Sequence, residues 1–261
     1  MIYDNIMTIF LAVLLGIIQG LTEFLPVSSS GHLLLVHHIF SLPNHTLLFD
    51  IILHIATLCA VLIIFRKKIW ELVKNPLCKT NYCLLIATAI TCTMVILFKD
   101  QIDKTLTYRV LPFTFLITAI ILFTTTLITE KNQSGNNSGE VGYKTGIIAG
   151  IAQGIAVIPG ISRSGSTIAA SLFTGVKRQQ AAEFAFLMSI PIILASFLFE
   201  LISSPDDVLS VEPIPLLFGF AAALLSGIIA IKFMLKVVQN IKLYWFSAYL
   251  VVLSVILLFW F

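Results

Sequence analysis

Two stretches of this chain repeat one another: residues 16–33, GIIQGLTEFLPVSSSGHL, and residues 150–167, GIAQGIAVIPGISRSGST. At an offset of 134, Gly16, Ile17, Gln19, Gly20, Ser28, Ser30 and Gly31 fall on Gly150, Ile151, Gln153, Gly154, Ser162, Ser164 and Gly165. The offset is close to half of the 261 residues, so it reads as an internal duplication. Each copy runs from an apolar helix into proline, serine and glycine, and then into a short apolar run. The copies differ usefully at Glu23, His32 and Arg163.

Composition decides the solvent. Hydrophobic residues make up 58% of the chain and charged ones 11%, against roughly 25% charged in a soluble domain. That predicts one polytopic membrane domain over residues 1–261. Segments 47–65, 82–98, 110–129, 181–202, 214–235 and 243–261 each approach the ~20 residues that cross the hydrocarbon core. Regions 6–40 and 145–176 are interrupted instead, which predicts re-entrant hairpins whose backbone is satisfied by protein or a water-filled cavity. The expected fold is therefore all-α, with six transmembrane helices plus two re-entrant helix-loop-helix hairpins. Residues 1–129 form one half and 145–261 the other, with a polar linker, 130–144, between them.

Charge orients the spans. Arg66, Lys67, Lys68, Lys74 and Lys79 crowd the first loop between spans, which is expected in the cytoplasm. The linker, Lys177-Arg178 and residues 236–242 follow to that side. Asp206, Asp207 and Glu212 fall outside, with only Lys99, Lys104 and Arg109 among the basic residues. Three spans per half is an odd number, so the hairpins enter from opposite faces. This is the inverted-repeat plan, which places a site near the midplane where the repeats meet. Residues 1–10 hold no basic residue, so the first helix is expected to stay in the mature protein. Cys59, Cys78, Cys83 and Cys92 lack metal-ligand spacing and read as free thiols. Nothing suggests a nucleic-acid partner.

The duplicated breaks carry the chemistry. One short helix is expected to begin at Gly31-His32 behind Ser28, Ser29 and Ser30, a second near Ser166 behind Ser162, Arg163 and Ser164. Helix N-termini with glycine and hydroxyls bind anions through free N–H groups, and two of them, with Gly31 and Gly165, suit two phosphates. Arg163 adds a planar fork for phosphate oxygens; its alternative is an ion pair with Glu23 or Glu183. Glu23 is open to three roles: accepting a proton, holding a divalent cation, or pairing with Arg163. Ser29 and His32, at i and i+3, are spaced for a nucleophile and its base, or for a cap and a packed histidine. Asp50 and Glu183 read as loop supports, His37, His38 and His45 as interfacial, and His54 as packing within its span.

These residues resemble the bacitracin-resistance family of undecaprenyl-diphosphate phosphatases. The signatures stand here as QGLTEFLPVSSSGHL (19–33) and PGISRSGSTI (159–168), and AAEFAFLMSIP (181–191) is similar to a further family segment. The resemblance implies removal of the terminal phosphate from a C55 polyprenyl diphosphate, in the cell membrane, to renew the lipid carrier for peptidoglycan synthesis. It implies a divalent cation, Mg2+ or Ca2+, and a site that opens to the outer face. It assigns Glu23 a catalytic or metal-associated role, Ser29 the nucleophile and His32 its acid/base partner. Ser162, Arg163, Ser164 and Thr167 match phosphate-contacting positions. The polyprenyl diphosphate and membrane lipids are the expected partners, with a homodimer left open. Gln19 departs from the glutamate of many members, which puts metal ligation in doubt, since an amide carries no charge. The rival activity is a lipid-phosphate transporter or flippase, an architecture that broken helices also serve. The other membrane phosphatase class is excluded: no Arg-Pro pair exists, and no histidine follows Arg163.

Overall fold

The computed structural model describes residues 8–42, 47–105, 107–131, 139–203, 212–240 and 243–260. The centre of the linker, His45, Asp206, Asp207 and Lys242 lie outside the described residues. Those described form helices and no strand; one isolated bridge joins Gly139 to Val176.

The first copy of the duplication folds as α1 (Ile9–Phe24) and α2 (Ser29–Ile39), the second as α8 (Tyr143–Ile155) and α9 (Arg163–Phe173). Between the copies run α3 (Leu47–Ile64), α4 (Arg66–Lys74), α5 (Lys79–Leu97), α6 (Lys99–Asp103) and α7 (Leu111–Lys131). After the second come α10 (Arg178–Ser203), α11 (Pro213–Asn240) and α12 (Tyr244–Trp260). Pro26 ends α1, since a proline ring cannot follow a helical residue without a clash. The two short helices begin earlier than the sequence suggested, at Ser29 and Arg163. Each is capped by a serine whose Oγ accepts from the N–H three residues on: Ser28 from Gly31 at 3.3 Å, Ser162 from Gly165 at 3.1 Å.

Among the described residues four helices are long and apolar enough to cross a membrane, within Lys79–Leu97, Tyr108–Thr129, Arg178–Phe199 and Pro213–Gln239. α3 and α4 make a fifth if taken as one span, but the chain bends by 76° between them. α4 is basic and has no buried residue, so it leaves the direction of α3 where the apolar run ends. α12 is apolar but only 17 residues long. Apolar side chains cover the outside: Leu85, Phe113, Leu217, Ile229, Val252 and Phe259 are all exposed. A continuous apolar exterior is what a lipid solvent permits and water does not.

Each first helix of a duplicated copy packs on a span from the other half, α1 on α11 and α8 on α5. Glycine allows both crossings, as small residues do where helices approach closely in lipid. A Cβ on Gly16 would strike the Gly219 carbonyl, and one on Gly150 would sit 2.8 Å from the Ala87 carbonyl oxygen. The GxxxG spacing of GIIQG thus has its reason in packing. Gly20 lies against Ser226, with the Ala223 oxygen 2.5 Å and the Gly227 nitrogen 2.7 Å from a Cβ position. Gly20→Leu is expected to destabilise the fold by about 3 kcal/mol, the upper range for overpacking. Melting in detergent checks it, with Gly142→Ala, where a Cβ meets only the Lys79 side chain at 3.8 Å, as the control. An unchanged melting temperature in Gly20→Leu would contradict the crossing.

The two breaks meet at the centre. A Cβ on Gly31 would come within 2.9 Å of the Gly160 Cα, and one on Gly165 within 3.1 Å of the Pro26 Cβ. Gly160 and Pro26 are themselves 134 residues apart, so the two contacts match. Hydrogen bonds cross the junction as well: Gly160 N–H donates to Ser28 Oγ (3.1 Å) and Ser164 Oγ to the Leu25 carbonyl (3.1 Å). α7 supports the second loop through Thr118, whose hydroxyl donates to the Gly160 carbonyl (2.9 Å) and accepts from Ser162 N–H (3.1 Å).

Candidate active site

Glu23 sits on the last turn of α1 with its side chain 2% exposed. Its Oε1 is paired with the guanidinium of Arg163, the first residue of α9. Its Oε2 accepts from the Ser29 hydroxyl at 2.6 Å and from the Gln19 amide at 3.0 Å. His54 Nε2 on α3 stands 3.5 Å from the same oxygen. A buried carboxylate demands such donors, because an unpaired one costs several kcal/mol. Of the two ion pairs open to Arg163, the structure makes the one with Glu23; Glu183 accepts instead from Gln179 (2.8 Å).

These residues line a cavity of about 330 Å³, at the small end for a ligand pocket. Its polar wall holds Thr22, Glu23, Ser28, Ser29, Ser30, His54, Gln153, Ser162 and Arg163, and Ile51, Ile161, Ile192 and Ile193 supply apolar surface. Of the residues singled out from sequence, Gly31 and Gly165 form the contact between the two breaks. Ser164 donates to Leu25, and the Thr167 hydroxyl donates to the Arg163 carbonyl (2.8 Å) within α9. None of these four is among the lining residues.

His32 does not stand as partner to Ser29. Its Nδ1 is 2.7 Å from the Ser28 carbonyl, an acceptor only, so Nδ1 carries the proton. In the neutral ring Nε2 then accepts from the Tyr249 hydroxyl, 2.8 Å away on α12. Ser28 has φ 70°, unlike Ser162 at −73°, a conformation that costs a non-glycine residue about 1–3 kcal/mol. His32 and Gly160 hold Ser28 there. One turn of helix brings i and i+3 near each other, but a serine cap turns the Ser29 hydroxyl toward Glu23 instead.

His54 was read from sequence as packing, yet it faces Glu23; a histidine inside an apolar span was the available signal. Its Nδ1 donates to the Asp50 carbonyl (2.8 Å), while the Asp50 carboxylate lies 3.2 Å from His37 Nε2. The Asp50 carboxylate thus ties α3 to α2 and is not among the lining residues. His38 stacks on Tyr108 with ring centroids 3.7 Å apart. Gln153 was legible only as the copy of Gln19. The four cysteines are free.

The residues around Glu23 do not by themselves make a cation cage. Its two oxygens already take Arg163, Ser29 and Gln19, with His54 close by, which fills the acceptor positions of a carboxylate. Among the described residues Gln19 Oε1 has no protein donor, and one neutral oxygen is no cage for Mg2+ or Ca2+, which would take most of its ligands from water and the diphosphate. Among the described residues no three His, Cys, Asp or Glu side chains converge as ligands.

A half-buried serine on a buried carboxylate beside an arginine suits attack on a phosphorus or carbonyl centre with charge stabilised by the guanidinium. Comparison with known proteins narrows this. A family model described as Bacitracin resistance protein BacA matches residues 12–256. A Treponema denticola protein named undecaprenyl-diphosphatase is 43% identical over 95% of this chain and 96% of its own. One of the same name from Carboxydothermus hydrogenoformans is 41% identical over 97% of each chain. A third, from Christiangramia forsetii, is 39% identical over 93% of this chain and 94% of its own.

Proposed function

The chain belongs to the bacitracin resistance protein BacA family, and on that premise we propose that it is an undecaprenyl-diphosphatase. It is a multi-pass membrane protein that converts undecaprenyl diphosphate to the monophosphate carrier and inorganic phosphate. The observation that carries the reading is the meeting of Ser29 and Arg163, one from each duplicated copy, on the single carboxylate of Glu23.

The chemistry follows from that arrangement. The diphosphate head occupies the cavity while the isoprenyl chain leaves past Ile51, Ile192 and Ile193. Arg163 turns part of its fork from Glu23 to the terminal phosphate, where the ends of α2 and α9 add positive potential. Ser29 Oγ then attacks the terminal phosphorus and its proton passes to Glu23, the acceptor it already faces at 2.6 Å. The bridging P–O bond breaks, the proton taken by Glu23 passes to the bridging oxygen, and the lipid monophosphate departs. Water releases phosphate from Ser29. Most of the acceleration comes from stabilising charge on the phosphoryl oxygens.

The orientation is part of the same proposal. Six spans and two re-entrant hairpins in an inverted repeat place the basic α4 in the cytoplasm and open the site to the outer face of the cell membrane. The matched crossings α1–α11 and α8–α5 favour this plan, as does the reciprocal contact between the two breaks.

The test is phosphate release by the purified protein in detergent from a C55 polyprenyl diphosphate. Catalytic release by wild type is expected. Folded protein that binds the lipid diphosphate without releasing phosphate would overturn the reading in favour of transport.

A further inference from the structure

Gln153, on α8, is 1% exposed and lines the cavity that holds Ser29 and Arg163. The way its amide points is decided by Thr91 of α5. Thr91 Oγ1 lies 2.9 Å from the Ala87 carbonyl and 3.0 Å from the Gly150 carbonyl. Both are acceptors only, so they take the single hydroxyl proton, and Thr91 can offer Gln153 only a lone pair. Gln153 therefore presents its Nε2–H to Thr91, at 3.2 Å. That leaves Oε1, which has no protein donor among the described residues. A buried acceptor left unmatched costs about 1–3 kcal/mol.

Ionised phosphate oxygens cannot satisfy it, being acceptors themselves. A water molecule can, and one that donates to Oε1 turns its lone pairs away from the amide. Gln19, at the matching place in the first copy, gives its amide to Glu23 instead. We infer that Gln153 positions the water that attacks the phosphoryl group on Ser29, an inference that rests on the phosphatase reading. The water oxygen bonds to phosphorus and the bond from phosphorus to Ser29 Oγ breaks. One water proton passes to Ser29 Oγ, and the other stays on the released phosphate. Gln153 gains and loses no proton; it is a positioning residue.

Gln153→Met keeps a similar volume and removes the acceptor. It is expected to lower kcat by about a hundredfold, the scale of a misplaced reactant, with KM falling alongside it and the melting temperature unchanged. In rapid-quench experiments the lipid monophosphate should then appear as a burst of one per protein, ahead of inorganic phosphate. A wild-type kcat, a loss confined to KM, or both products slowed in step would overturn the inference. If Gln153→Met does not fold, Thr91→Val carries the same test, because it frees the amide to turn while leaving Gln153 in place. A smaller burst is expected there, and its absence would overturn the inference. Wild-type protein that releases no phosphate would instead sink the phosphatase reading, so the two failures are distinct.

Discussion

Arg163→Ala is expected to slow phosphate release from polyprenyl diphosphate at least about a hundredfold, the scale of a lost electrostatic donor. The substitution acts twice. It removes the charge that meets the terminal phosphate, and it leaves Glu23 buried without its counter-ion. Breaking a buried pair from one side destabilises by about 3–5 kcal/mol, so the measurement needs the melting temperature beside the rate. Arg163→Lys separates the two effects: it keeps the positive charge but has no planar fork, and it should recover stability more than turnover. Turnover near wild type in folded Arg163→Ala would remove Arg163 from the mechanism.

Ser29→Ala is expected to cut turnover by at least about a thousandfold, as loss of a nucleophile does. Glu23 keeps its bonds to Arg163 and Gln19 in this variant, so the fold should hold. The covalent intermediate supplies an independent readout. Wild-type protein quenched during turnover should carry phosphate on Ser29, and the variant none. Substantial residual activity would mean that water attacks the diphosphate directly.

The two predictions differ in how the sequence prepared them. Ser29 and Arg163 stood out because polar side chains are costly at membrane depth and these sit in duplicated breaks. Glu23 was open to three roles, and the structure uses it as the meeting point of Arg163 and Ser29. An i, i+3 spacing pairs Ser29 with His32, but it measures distance along a helix and ignores the cap. Ser28 takes the N-cap with an unusual φ, turning Ser29 to Glu23 and His32 to Tyr249. His54 and Gln153 lay in apolar stretches, where position along a helix does not tell which side faces the cavity.

Read alone, the sequence determined the duplication, the solvent, the apolar helices and the places where they break, because each is a local or compositional property. It also determined that small residues recur at GIIQG and GIAQG, the condition for close helix crossing. Only the tertiary structure decided which groups meet. Glu23 finds Arg163 140 residues away because Gly31 and Gly165 let the two breaks touch, and His32 reaches Tyr249 across 217 residues. Such contacts depend on how whole helices cross. The pair that brings Arg163 to the carboxylate facing Ser29 exists only once the two copies have packed together.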